Sequence, residues 1–163
     1  MIVKLKNIAV FILLFLASEV QAQFGQVCLD SNRIQPYFGC SRPEFNPVCG
    51  CNLVTYRNDC VAFNNFGVNT WSDGVCLNDI FFFDFWPNIV NERIDFYLQA
   101  TQKTSATLEI VDAFGKLQMY RLFSAIPDPY FAQTFYLSYL KPGVYYISVR
   151  TSKKRLVKKF VKT

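Results

Sequence analysis

Six cysteines, Cys28, Cys40, Cys49, Cys51, Cys60 and Cys76, fall within 49 residues, and the 87 residues that follow contain none. Cysteines bind metals, exchange electrons or close disulfides, and their spacing separates these chemistries. Only Gly50 lies between Cys49 and Cys51, whereas paired zinc ligands stand about two to four residues apart. A redox pair needs two intervening residues and a helix N-terminus. The chain has no histidine, which removes both a mixed Cys/His metal site and the base of a Ser-His or Cys-His hydrolase. An even, clustered set of cysteines reads as a disulfide framework if the chain is exported, with neither metal nor cofactor expected. Six cysteines allow about fifteen pairings, and the residues alone do not choose among them.

Export is written at the start. Lys4 and Lys6 precede an apolar run over residues 8–16, and Val20, Gln21 and Ala22 offer a cleavage site before Gln23. This is the pattern of a signal peptide over residues 1–22. The run falls well short of the roughly 20 apolar residues that cross a bilayer, so the mature chain is expected to have no integral membrane segment.

Two different surfaces follow. Residues 28–76 carry three basic and four acidic side chains, and residues 77–163 carry twelve and seven. A segment of about 50 residues buries too little apolar surface to fold unaided, and each bridge across a loop of roughly 15 to 30 residues contributes about 3 kcal/mol. From Phe81 the chain becomes rich in aromatics and alternates with period two. Ile94, Phe96 and Leu98 share one face, as do Leu108 and Ile110, and Tyr145, Ile147 and Val149. Breaks at residues 114–116, 126–129 and 141–143 separate six or seven strands, the pattern of an all-β, immunoglobulin-like sandwich. The expected organisation is a signal peptide over 1–22, a disulfide-rich α+β domain over 23–78 and a β-sandwich over 79–163.

The motifs carry two resemblances. "PVCG" at residues 47–50, "TYRNDC" at 55–60 and "DGVC" at 73–76 resemble a Kazal domain. That resemblance implies a short three-stranded sheet plus one helix, and a rigid loop between the second and third cysteines that many members offer to serine proteases. The cysteine usually found in the helix is missing and Cys51 is extra, as in a bacterial variant with Cys-Gly-Cys. The resemblance then implies the pairs Cys40–Cys60, Cys49–Cys76 and Cys28–Cys51. It also implies that Tyr56 is a core aromatic and that Asn58 holds the loop extended by hydrogen bonds to its carbonyls.

The loop is "SRPEFNP", residues 41–47, and its expected protease-contact residues are Ser41, Arg42, Pro43, Glu44 and Phe45. Counting forward from Cys40 puts Arg42 at the contact position, which would suit a trypsin-like enzyme with an acidic pocket. Counting back from Cys49 puts Pro43 there. Proline fixes φ and removes a donor, and it restricts the residue before it. The register stays open between the two.

The second resemblance is to the C-terminal sorting domain of the type IX secretion system of Gram-negative bacteria. It rests on "WPNIVNERIDFYL", "LEIVDAFGKLQ", "LSYLKPGVYYISV" and "RLVKKFVKT", in that order over about residues 80–163. Pro87, Asn88, Gly115, Gly143, Tyr145, Lys158 and Lys159 mark these motifs. The resemblance implies passage through the periplasm, recognition by the outer-membrane secretion machinery, and release of the product or its attachment to the cell surface. The basic, apolar-interleaved tail is expected to pair as an edge strand whose lysines deter unwanted pairing. The export signals leave a nucleic-acid partner without support.

The sequence therefore points to a secreted or surface-displayed Kazal-type serine protease inhibitor that acts by occupancy and is not an enzyme. A non-inhibitory binding or adhesion module with the same export route is the alternative.

Overall fold

The computed structural model describes residues 27–35, 39–40, 44–124 and 130–163. The expected signal peptide, the contact residues Ser41, Arg42 and Pro43, and the expected turn at 126–129 lie outside the described residues.

Three short strands, β1 (Val48–Gly50), β2 (Thr55–Tyr56) and β3 (Trp71–Asp73), form an antiparallel sheet in the order β2-β1-β3. Gly50 is needed where it stands, because a Cβ there would come within 2.6 Å of Asn52 Oδ1 and 2.9 Å of the Tyr56 ring. After β2 the chain turns into a short, wide helix, Val61–Asn65. The Asn58 carboxamide oxygen caps it by accepting the Val61 N–H at 2.9 Å. The helix ends at Gly67, whose φ of +66° suits glycine; a Cβ there would meet the Asp30 carbonyl at 2.2 Å. That close approach ties the N-terminal arm to the helix, with Asp30 donating to the Gly67 carbonyl at 2.8 Å and Asn69 to the Cys28 carbonyl at 3.0 Å. The arm adds a single turn of 3-10 helix, Ser31–Arg33, so this region holds two short helical segments where one was expected. Disulfides join Cys28 to Cys51, Cys40 to Cys60 and Cys49 to Cys76, and no described cysteine is free.

The C-terminal region contains eight strands among the described residues: β4 (Phe81–Trp86), β5 (Ile89–Val90), β6 (Arg93–Ala100), β7 (Ala106–Asp112), β8 (Leu117–Phe123), β9 (Phe131–Tyr136), β10 (Gly143–Arg150) and β11 (Arg155–Lys162). They make a five-stranded sheet, β5-β11-β10-β7-β8, and a three-stranded sheet, β4-β6-β9. Period-two burial follows from the pleat. On β4, Phe81, Phe83 and Phe85 are buried while Phe82, Asp84 and Trp86 alternate with them on the other face. Both sheets feed one apolar cluster that includes Phe83, Phe96, Ile110, Ile147 and Phe160. Rings meet across it, Phe96 on Phe123 at 6.3 Å and Phe85 on Phe160 at 6.1 Å between centroids.

The structure departs from the sequence reading at the tail. β11 pairs with β10 along its full length, but it is not the edge strand expected, because β5 runs parallel to it at Val161 and Lys162. A two-residue strand has no alternation to read, which is also why one strand more than expected is present. Among the described residues no helix is long and apolar enough to cross a membrane.

Candidate functional site

The segment from Cys40 to Cys49 is fastened at both ends, by Cys60 at its start and Cys76 at its end. Cys60 opens the helix and Cys49 lies in the central strand of the small sheet, so each bridge fixes one end of the loop to a regular element. Between them, the Asn58 amide donates to the Glu44 carbonyl at 2.9 Å while its oxygen caps the helix. Asn46 adds a backbone bond to the Arg57 carbonyl at 3.1 Å. Asn58 is itself buried, and its two bonds are part-buried. Tyr56 is buried beside Val48, Ala62 and Val68, and its hydroxyl accepts from the Asn52 amide at 2.8 Å.

The described part of the loop alternates. Glu44 and Asn46 are exposed, Phe45 and Pro47 buried. Phe45 was expected among the exposed contact residues and is instead only 5% exposed. Its ring lies parallel to Tyr97 at 5.1 Å and to Phe82 at 6.1 Å, and edge-on to Tyr130 at 5.4 Å. All three partners belong to the C-terminal region. The physical reason is the outer face of β4 and β6, which carries Phe82 and Tyr97 away from the internal core and offers the loop an aromatic surface to cover.

Charges continue this contact. Arg57, 8% exposed, donates from Nη1 to Asp84 Oδ2 and to the Phe85 carbonyl, each at 3.2 Å, and its guanidinium lies 5.5 Å from the Tyr97 ring centroid. Asp84 Oδ1 in turn accepts from Lys158 Nζ at 2.9 Å. Asp79 repeats the arrangement, taking the Thr55 hydroxyl at 2.6 Å on one oxygen and Lys154 on the other. Two aspartates thus each bridge the cysteine-rich region and the C-terminal tail, Asp84 at Lys158 on β11 and Asp79 at Lys154 just before it. Burial pushes the Tyr97 phenol above its ordinary pKa and the Asp95 carboxylate adds to this, while the Arg57 guanidinium pulls the other way.

Sequence reasoning missed Thr55, Arg57, Asp79, Asp84 and Lys154. A signal was present for one of them: the alternation of "FFFDF" puts Asp84 on the face opposite the core, where a carboxylate between aromatics needs a partner. Arg57 sits between Tyr56 and Asn58, and nothing in its spacing marks it.

The sorting-motif residues divide. Asn88 accepts the Val161 N–H at 2.9 Å, Gly143 pairs with Lys162, and Tyr145 pairs with Asp112, next to the turn at Gly115. Asn88, Gly115, Gly143 and Tyr145 therefore gather with Pro87 at one end of the five-stranded sheet. Tyr145 packs inward on Phe160 at 5.3 Å and donates its hydroxyl to the Lys141 carbonyl at 2.8 Å. Lys158 and Lys159 lie further along β11 and part company. Lys159 is exposed, and Lys158 is drawn over the Phe82 ring, 4.8 Å from its centroid, by Asp84.

Comparison with known families fits this geometry. A Kazal-type serine protease inhibitor domain matches residues 26–70 and a secretion system C-terminal sorting domain matches residues 84–163. No curated protein matches the chain. The first match stops short of Cys76, which closes the bridge to Cys49, and the residues left between the two matches carry Asp79 and the start of β4. Residues 26–70 are thus similar to Kazal-type inhibitor domains and residues 84–163 to secretion-system C-terminal sorting domains, and together the two matches point to a secreted or cell-surface protein exported by type IX secretion.

Proposed function

We propose that the protein is a serine protease inhibitor that presents the loop between Cys40 and Cys49 to its target and acts by occupancy. The observation that supports this best is the fastening of that loop, by a disulfide at each end and by Asn58 on the Glu44 carbonyl between them. A loop tied in this way loses little ordering entropy when it docks, so a short contact gives useful affinity. Ser41, Arg42, Pro43 and Glu44 supply the contact, with Arg42 entering the specificity pocket of a trypsin-like enzyme. The working part is residues 23–78, preceded by a signal peptide over 1–22. Residues 79–163 form an immunoglobulin-like sandwich that engages the sorting machinery.

The burial of Phe45 favours a second reading, in which the Kazal scaffold binds an extracellular partner without inhibiting a protease. Titration of the oxidised chain, at saturating concentration, against trypsin-, chymotrypsin- and subtilisin-like enzymes separates the two. Inhibition of the trypsin-like enzyme that is lost in Arg42→Ala supports the first reading. Absence of inhibition in all three supports the second, and inhibition retained in Arg42→Ala moves the contact away from Arg42.

A further inference from the structure

Among the described residues of the loop, Phe45 takes its ring contacts from the far region. It is not part of the apolar cluster formed by Val48, Tyr56, Ala62 and Val68. Its ring partners are Phe82, Tyr97 and Tyr130. Arg57, on the same side, donates from Nη1 to Asp84 and to the Phe85 carbonyl, again in the C-terminal region. Immediately before Phe45 the chain is exposed at Glu44. An external protein that gripped the loop beyond Glu44 would have to occupy the space that Tyr97 and Tyr130 fill.

We propose that the outer face of β4 and β6 is an intramolecular cap on the partner-binding loop, so that the C-terminal region and an external partner compete for Phe45. This rests on the loop being the segment that binds. The cap also defines the chemistry that replaces it. Phe82 and Tyr97 form an aromatic slot for a phenyl ring, and Asp84 sets a carboxylate beside it for a guanidinium. A partner that takes the uncapped loop offers the same pair, an apolar slot flanked by an acidic side chain. An aromatic ring and an arginine on a rigid, desolvated patch are the side chains that most often dominate protein association.

The test uses the full oxidised chain and the double substitution Phe82→Ala, Tyr97→Ala. Both side chains lie on the face of β4 and β6 opposite the core, and Tyr97→Phe serves as the variant that keeps the ring. Hydroxyl-radical footprinting reads the exposure of Phe45, and titration with trypsin and subtilisin reads the availability of the loop. In the double variant, Phe45 oxidation should rise about tenfold and the inhibition constant for the responding protease should fall about tenfold, or ~1.4 kcal/mol. Tyr97→Phe should change neither. Equal oxidation of Phe45 in the wild type and the double variant overturns the cap, whatever the inhibition. Faster oxidation with an unchanged inhibition constant also overturns it, since contact would then not mean competition. Faster oxidation with no inhibition by either protease supports the cap while removing the inhibitor reading.

Discussion

Among the described residues, four side chains, Val48, Tyr56, Ala62 and Val68, make up the buried apolar cluster of the Kazal region, against nineteen in the cluster of the C-terminal region. The two regions reach order by opposite means. In the first, three disulfides act mainly by restricting the unfolded chain, and the folded form is free to spend its surface on an exposed loop. In the second, no cysteine is present and the sheets are held by interlocking Phe, Leu, Ile and Val side chains, each fully buried one contributing about 2 kcal/mol. A protein–protein contact loop is better served by the first device, because cross-links hold a segment without calling on a large apolar core. The junction uses a third device, aromatic stacking at Phe45 with the paired charges of Arg57 and Asp84.

The largest contrast is expected on reduction. Each bridge spans between 20 and 27 residues, worth about 3.5 kcal/mol in the chain-entropy model, so three together are worth roughly 10 kcal/mol. Under dithiothreitol the Kazal region should unfold while the β-sheet signal of the C-terminal region survives, as read by hydrogen exchange resolved by region. A C-terminal region that unfolds together with the Kazal region would show that the two are not separately stabilised. Phe96→Ala attacks the other side. Phe96 is fully buried against Phe83, Phe123 and Phe135, and its truncation should cost about 3 to 5 kcal/mol in denaturant unfolding of the C-terminal region. The three disulfides should still form.

Arg57→Ala should cost about 2 to 3 kcal/mol, less than a fully isolated buried pair because Asp84 keeps Lys158. Its distinguishing mark is place: protection from exchange should fall on both sides of the junction, at Asn46 and on β4. The smallest effect is expected from pH. A phenol whose folded pKa is raised contributes stability that is complete below its ordinary value near 10 and is lost as pH rises through the folded value. The Tyr97 contact should therefore loosen above about pH 10, seen as a near-ultraviolet dichroism change that Tyr97→Phe shifts or removes.

Much of this was readable before the structure, and the reasons differ by region. The period-two faces of Ile94, Phe96 and Leu98, and of Tyr145, Ile147 and Val149, were legible because a pleated strand must alternate, and all six are buried. The cysteine-rich scaffold was legible from its motifs, while its pairing came only with the resemblance. The junction was not legible. Phe45 was assigned to the exposed loop because sequence counts positions from a cysteine, and nothing in that count shows an aromatic face 37 residues away at Phe82. Arg57 and Asp84 find each other across the fold, and β5 is too short to have a pattern. The alternation of β4 shows that Asp84 needs a partner, but nothing local shows that the partner is Arg57.

The measurement that decides most is a thiol titration of the native exported protein followed by peptide mapping without reduction. The account requires no titratable thiol and the three bonds Cys28–Cys51, Cys40–Cys60 and Cys49–Cys76, which tie the loop at both ends. Freely reacting thiols in the folded protein, or a bond between Cys49 and Cys51, would contradict it.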